Sequence, residues 1–462
     1  MQGAPDPFQS NAVSCMMPAM RPTASILGVL ICSSAIAAQS PNIILIMADD
    51  LGYGDLGCYG NQSNKTPNID ALALTGLRFT DFHSSGPMCT PTRAATLTGL
   101  YQQRFGPKFD SAISGVRDRD TGLPLNAVTI AEALKGKGYA TACFGKWHLG
   151  YQPPFLPPNQ GFDEFRGLGS GDGDFHTHID RSGREDWWRN NELESEAGYT
   201  TDLLTRYSVD FIRRHRGKPF FLYVPHLAIH FPWQGPDDPP HRTRGRSWHK
   251  DKWGIIPDRG NVAPHVRAMI ESMDKSVGMT MEAVRSEGLA ANTLVIFTSD
   301  NGGYLTYGKE LRNISSNGPL RGQKGQLYEG GHRVPFIANW PDRIAPGTTA
   351  ATAHSTDLFA TFVSLAGGRP GEAGCDGIDL TPTLLERKPL PGRMLFWRKG
   401  DERAVRSGSW KLRETGSKTE LYDLSLDLGE TTDLSNQHQA VVARLRTAWS
   451  KWEDEMNQGA VR

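Results

Sequence analysis

The stretch "NIILIMADD", Asn42 to Asp50, is an apolar run that stops at two adjacent carboxylates. A strand with one wet face alternates apolar and polar residues, whereas a run apolar at successive positions belongs to a strand buried on both faces, as in parallel sheets. Four more runs share this texture: "ATACFG" (Ala140 to Gly145), "FFLYV" (Phe220 to Val224), "TLVIFTS" (Thr293 to Ser299) and "VPFIANW" (Val334 to Trp340). Helical patterns separate them: Thr129 to Lys137, opened by the capping box Thr129…Glu132, then Thr201 to Arg214 and Val266 to Arg285. The alternation predicts an α/β fold with a large, mainly parallel central sheet flanked by helices. After about Gly392 the texture changes to short strand-like pieces, "MLFWRKGDERAVRSGSWKLRET" and "TELYDLSLD", and a final helix near Ala440 to Met456. These predict a smaller C-terminal α+β lobe.

Open α/β sheets bind ligands at the carboxyl ends of their strands. Here those ends carry Asp49 and Asp50, then Lys146 and His148 in "GKWHLG", His226 and His230 in "PHLAIHFP", and Asp300 and Asn301 in "SDNGG". Each acidic residue alone reads as a turn or cap. Together Asp49, Asp50, Asp300 and Asn301 form an all-oxygen set suited to a hard divalent cation such as Ca²⁺ or Mg²⁺.

"GPMCTPTRAATLTG", Gly86 to Gly99, adds a reactive group. Pro91 fits a first helical position and Gly99 a helix end, so the spacing predicts a short helix with Cys89 just outside its first turn and Arg93 about one turn on. A thiol there reads either as a low-pKa nucleophile or as the precursor of another group.

The chain has 462 residues, enough for a large core, and Lys+Arg 50 balance Asp+Glu 50. That balance gives no reason to expect a nucleic-acid partner. The segment "MRPTASILGVLICSSAIAA" from Met20 has the basic start, short apolar run and small-residue end of a cleavable export signal. Residues 1–19 precede it without a derivable role; a true start at Met20 is the simplest account. The apolar run is too short to span a bilayer. Cys15 and Cys32 fall in the segment expected to be removed; Cys58, Cys143 and Cys375 read as small buried hydrophobes, too scattered for a disulfide framework or a zinc site.

"CTPTRAATLTG" resembles the sulfatase signature, Cys-x-Pro-x-Arg before a small-residue helix, with Thr92 where serine is more usual. "PNIILIMADDLGYGDLGCYG", "GKWHLG", "GFDEF", "TSDNGG" and "EGGHRVP" are similar to the other blocks of the formylglycine-dependent (type I) sulfatases, in the same order, from Pro41 nearly to the C-terminus. The wording is most similar to the N-acetylgalactosamine-6-sulfatase group and its bacterial relatives. The resemblance implies an alkaline-phosphatase-like sandwich with a C-terminal antiparallel sheet, divided as an extension and signal (1–38), a catalytic domain (39–391) and a C-terminal subdomain (392–462). It implies a sulfuric ester hydrolase acting on a sulfated carbohydrate, of galactose or N-acetylgalactosamine 6-sulfate type. A maturation enzyme would convert Cys89 to formylglycine (3-oxoalanine), whose hydrate attacks sulfur and forms a sulfo-enzyme. One Ca²⁺ per chain would lie at Asp49, Asp50, Asp300 and Asn301. Arg93 would hold the hydrate, Lys146 and Lys324 would balance charge on the sulfate, His148 would act as base, and His230 would act with Lys324 at the leaving oxygen. His226 is the weaker histidine, because only His230 precedes x-Pro. The compartment implied is the periplasm or exterior, or a lysosome-like one in a eukaryote. The rivals are a phosphonate or phosphate ester hydrolase of the same superfold and an inactive sulfatase-like binding protein.

The insert "GSGDGDFHTHIDRSGREDWWRNN", Gly169 to Asn191, carries His176, His178, Arg181, Arg184, Trp187 and Trp188. This mixture suits stacking on sugar rings and pairing with anions, which makes His176, His178 and Arg181 candidate substrate-binding residues.

Overall fold

A computed structural model describes residues 40–249, 260–308 and 310–458. The expected signal segment and residues 1–38 lie outside the described residues.

Thirteen of the described strands precede the C-terminal lobe: β1 (Asn42–Ala48), β2 (Leu77–His83), β3 (Ala140–Lys146), β4 (Glu164–Leu168), β5 (Trp188–Arg189), β6 (Glu192–Leu193), β7 (Phe220–Pro225), β8 (Thr293–Ser299), β9 (Thr306–Tyr307), β10 (Leu311–Arg312), β11 (Arg333–Asn339), β12 (Gly347–Thr349) and β13 (Ala353–His354). All but the β9–β10 hairpin join one sheet in the order β12-β2-β11-β8-β1-β7-β3-β4-β5-β6, with β13 also on β2. The run from β8 to β4 is parallel throughout. β11, expected from "VPFIANW", lies antiparallel to both β8 and β2, so the sheet is mainly rather than wholly parallel.

Alternation across β1 explains its unbroken apolar run. Ile44, Ile46 and Ala48 belong to one core with the helices at Thr200–Arg214 and Ala263–Ser286, while Ile43, Leu45 and Met47 belong to the other with Ile130, Leu358 and Phe362. Both sheet faces are covered, as continuous apolar strands require. The helix Ile130–Lys135 has the expected capping box: Glu132 N donates to Thr129 Oγ1, and Thr129 N donates to Glu132 Oε2.

Four strands, β14 (Met394–Lys399), β15 (Glu402–Ser407), β16 (Trp410–Thr415) and β17 (Lys418–Asp423), form a separate antiparallel meander. The helix Gln439–Gln458 packs Leu445, Trp449 and Trp452 onto it, and Tyr101 from the larger part completes that cluster. Buried charges also cross between the parts. Lys411 of β16 meets Glu329 of the larger part at 2.9 Å, besides Glu430 of its own lobe at 2.9 Å, and Arg406 of β15 meets Asp81 of β2 at 2.7 Å. Cys143 is buried, but Cys58, in a short 3-10 helix, and Cys375, in an irregular segment, both lie outside the sheet and are only half-buried. No helix among the described residues is long and apolar enough to cross a membrane.

Candidate active site

Because β1, β3, β7 and β8 are parallel, their carboxyl ends share one edge, and the residues that follow them converge there. The helix carrying Cys89 spans Cys89–Thr98 and is closed by Gly99 in the left-handed region. It begins two residues earlier than expected, with Cys89 inside its first turn. Proline fits there equally well, because the first four N–H groups of a helix lack intrahelical acceptors. Thr92 Oγ1 donates to Gly86 O at 3.1 Å, tying the helix to its entry loop.

Cys89 Sγ lies 3.4 Å from Lys146 Nζ, 3.3 Å from Lys324 Nζ and 3.5 Å from Asp49 Oδ1. The ammonium groups are themselves anchored, Lys146 on Asp49 and Lys324 on Asp50, each at 2.5 Å. Arg93 donates to Asp300 Oδ2 through Nε (3.0 Å) and Nη2 (2.7 Å), and to Lys146 O through Nη1 (2.9 Å). Asn301 donates to Asp50 Oδ1 at 2.8 Å. Three carboxylates and three cations are thus packed together, all buried.

Two acceptors are left over. Asp50 Oδ2 and Asn301 Oδ1 are buried without a hydrogen-bond partner, an arrangement that costs free energy unless something positive meets them. Burial, with Asp300 and Asp50 beside it, pushes Asp49 up to about 8 despite Lys146 and Arg93. Both facts fit a further cation held by oxygen ligands. The ligating atoms of Asp49, Asp50, Cys89 and His230 lie within 4.8 Å of one another. Asp300 lies beside this group, its Oδ1 accepting from Asp50 N at 3.2 Å while Arg93 takes its other oxygen. Burial alone would raise Asp300, but Arg93, Lys146 and Lys324 hold it below the usual carboxylate value.

Burial pushes the Cys89 thiol up to about 12, outweighing the two lysines. A thiol held protonated at neutral pH is a poor nucleophile.

His148 and His230 both line the cleft over Cys89, with Tyr151, Arg181, Tyr304 and Lys324. His148 has φ 56°, uncommon for a residue with a side chain. Its Nε2 lies 3.0 Å from Ile113 O, so the proton sits there and Nδ1 keeps a free lone pair, buried without a partner. Gly171 makes room for this ring: a Cβ there would stand 2.4 Å from it. Burial and Lys146 hold His148 well below 6.5. His230 donates from Nδ1 to Phe231 O at 2.6 Å, and its Nε2 stands 3.8 Å from Asp50 Oδ2. Burial, Lys146 and Lys324 likewise keep it well below 6.5. His226 is buried and does not line the cleft.

The insert departs from expectation. Arg181 reaches the cleft, held by Asp172 at 2.7 Å and lying 4.5 Å over the Phe231 ring. His176 and His178 do not line it. His178 is 2% exposed and stacks on Trp187 at 4.1 Å, while His176 packs near Tyr199. Their rings serve the folding of the insert, whose backbone turns on Asp174, the acceptor from His176 N and Thr177 N. Sequence reading also missed Tyr304, Tyr307, Asp172 and Arg242. The Asp172–Arg242 pair joins residues far apart in the chain and leaves no local pattern.

A family model for sulfatases matches residues 41–368. Arylsulfatase A from Bos taurus is 39% identical over 407 residues, covering 81% of this chain and 75% of that protein. N-acetylgalactosamine-6-sulfatase from Rattus norvegicus is 36% identical over 413 residues, covering 84% and 74%. These identities do not choose between the two kinds of relative. The crystal structure of Ps i-CgsB superimposes with a TM-score of 0.77 at 30% identity, covering 90% of this chain and 93% of that one. Signature, strand-end geometry and relatives agree: the chain belongs to the sulfatase family and is a sulfuric ester hydrolase.

Proposed function

We propose that this chain removes sulfate from a sulfated carbohydrate by way of formylglycine made from Cys89. The observation that carries the reading is the position of Cys89 Sγ, at a helix start and within 3.4 Å of two buried ammonium groups. Formylglycine supplies a hydrated aldehyde, whose oxygen is a nucleophile toward sulfur and whose second hydroxyl allows later release. Asp49, Asp50, Asp300 and Asn301 would hold one Ca²⁺, which would supply positive charge to offset that of the sulfate.

The chain's own groups divide the remaining work. Lys146 and Lys324 offset the sulfate's charge in a site without bulk water. Arg93, fixed by Asp300 and Lys146 O, orients residue 89. His148, neutral and with Nδ1 free, accepts a proton. His230 delivers a proton from Nε2 to the leaving oxygen beside Lys324; an entering sulfate anion raises the affinity of that ring for the proton. Arg181 contacts the sugar, whereas His176 and His178 have no part in it. A galactose or N-acetylgalactosamine 6-sulfate is the substrate type, supported by the N-acetylgalactosamine-6-sulfatase relatives. The segment from Met20 supports export, to the periplasm or exterior or to a lysosome-like compartment, where the enzyme would meet such saccharides. A formylglycine-generating enzyme is the required partner in maturation, and the working division of the chain is 1–38, 39–391 and 392–462.

The test is a paired assay of matured protein on an aryl sulfate and the matching aryl phosphate. Faster sulfate release is expected. Faster phosphate release would move the chain to the phosphonate and phosphate ester hydrolases.

A further inference from the structure

The hollow over Cys89, about 290 Å³, adjoins a second hollow of about 330 Å³. Tyr151 and Asp180 line both, so a chain lying in the first reaches the second across these two residues. The second hollow is also lined by Arg119, Arg184, Trp188 and Arg244.

Its acidic groups are committed. Asp186 accepts from Ser170 N at 2.9 Å, Gly169 N at 3.2 Å and Trp188 Nε1 at 2.7 Å, and burial pushes it up to about 7. Asp180 accepts from Arg184 N at 2.8 Å, and burial raises it as well. Glu185 faces Arg244 at 3.3 Å. Arg119, half-buried, and Arg184, exposed, form no salt bridge to a carboxylate among the described residues. Arg119 and Arg184 therefore stand beside Trp188 without a direct carboxylate ion pair, the Arg184 side chain acting on Asp180 only through its charge, in a hollow that shares two wall residues with the cleft over Cys89.

We infer that this outer hollow is a subsite for the sugar next to the one that loses its sulfate, and that it selects a neighbour bearing its own anionic group. A guanidinium fork matches either a sulfate or a carboxylate, so the shared chemistry is an anion on the adjoining ring that offers two terminal oxygens to the fork. The inference rests on the sulfated-carbohydrate reading of the inner hollow. It makes the natural substrate a multiply charged chain rather than a monosaccharide sulfate.

The experiment compares wild-type protein with the Arg119→Ala/Arg184→Ala double variant on four substrates. These are an aryl sulfate, a galactose 6-sulfate monosaccharide, a tetrasaccharide with sulfate on every sugar, and one that alternates uronate with sulfated sugar. The double variant should lose about tenfold in kcat/KM on at least one tetrasaccharide while staying within about twofold on the two small substrates. Whichever tetrasaccharide suffers more names the anion. The wild-type preference should also shrink at high salt. Equal losses on all four substrates, or no loss on either tetrasaccharide, overturn the inference. If wild-type protein releases no sulfate from any of them, the functional reading fails instead. The subsite is then judged by titrating both tetrasaccharides into Cys89→Ala protein with and without the arginine changes, and equal affinities overturn it.

Discussion

Replacing Arg93 by alanine should cost stability by a calculable amount. The side chain is fully buried, forks onto Asp300 Oδ2 at 2.7 and 3.0 Å, and carries a third bond to Lys146 O. Removing one partner of such a pair leaves a buried charge unmatched, at a cost of about 3–5 kcal/mol. With an unfolding entropy of about 2 cal/mol/K per residue, a chain of this size loses about 3–6 °C in Tm. The pH dependence has a definite sign. In the wild type Asp300 is held below its ordinary 3.8, so the stability it contributes is present above that value and lost as pH falls through its folded pKa. Without Arg93 the carboxyl loses the largest of the charges that hold it down and rises from its wild-type value, so the cost of the change is greatest at neutral pH and fades toward acid. The Tm gap between the two proteins should be widest near pH 7 and narrow toward the carboxylate range. Ca²⁺ should narrow it too, since a cation at Asp300 replaces part of the missing charge. Differential scanning calorimetry from pH 4 to pH 8, with Ca²⁺ or with chelator, reads all of this. A variant within about 1 °C of wild type at pH 7 in chelator would refute the reasoning, as would a gap that widens toward acid.

Lys411→Met leaves Glu329 and Glu430 buried without their shared cation, so chemical denaturation should show a loss of about 3–5 kcal/mol, partly restored by adding Glu430→Gln. Arg181→Ala should lower kcat/KM on a sulfated sugar about tenfold with little change in Tm. His178→Ala, which unstacks Trp187, should lower stability by about 2 kcal/mol and leave KM alone; steady-state kinetics beside thermal melts separate the two. Because His148 stays neutral well below 6.5, aryl sulfate turnover should hold level as pH falls through 6.5. Sugar sulfates, which need a protonated His230, should instead turn over faster toward acid, and coincident profiles would contradict the assignment.

The parts legible in sequence were those with a strong local signal. β1, β3, β7, β8 and β11 are buried on both faces, so their composition is apolar at every step and marks them. β2, "LRFTDFH", escaped because Arg78 and Asp81 interrupt it; Asp81 is tolerated there only because Arg406 and Arg333 meet it. β4, "EFRGL", is masked likewise by Glu164 and Arg166. Asp49, Asp50, Lys146, His148, His230, Asp300 and Asn301 were legible because they stand at or just after the ends of strands that are parallel there. Cys89 and Arg93 were legible because of their spacing ahead of a helix, whereas Lys324, in a loop, was marked only by the family resemblance. The cleft wall was not, since Asp172, Tyr304 and Tyr307 come to it from separate segments, and Arg242, which braces Asp172, lies far from it in the chain. In the insert, polar composition suggested a sugar site, yet Trp187 and His178 are consumed in packing the loop.

The central claim is that residue 89 acts as an aldehyde. Preparations matured to different extents should be analysed by peptide mass, where conversion of the thiol removes about 18 Da, and assayed for sulfate release per mole of protein. The account predicts activity in proportion to the converted fraction and none in Cys89→Ala. Full sulfate release from protein whose Cys89 peptide is wholly unconverted would contradict it.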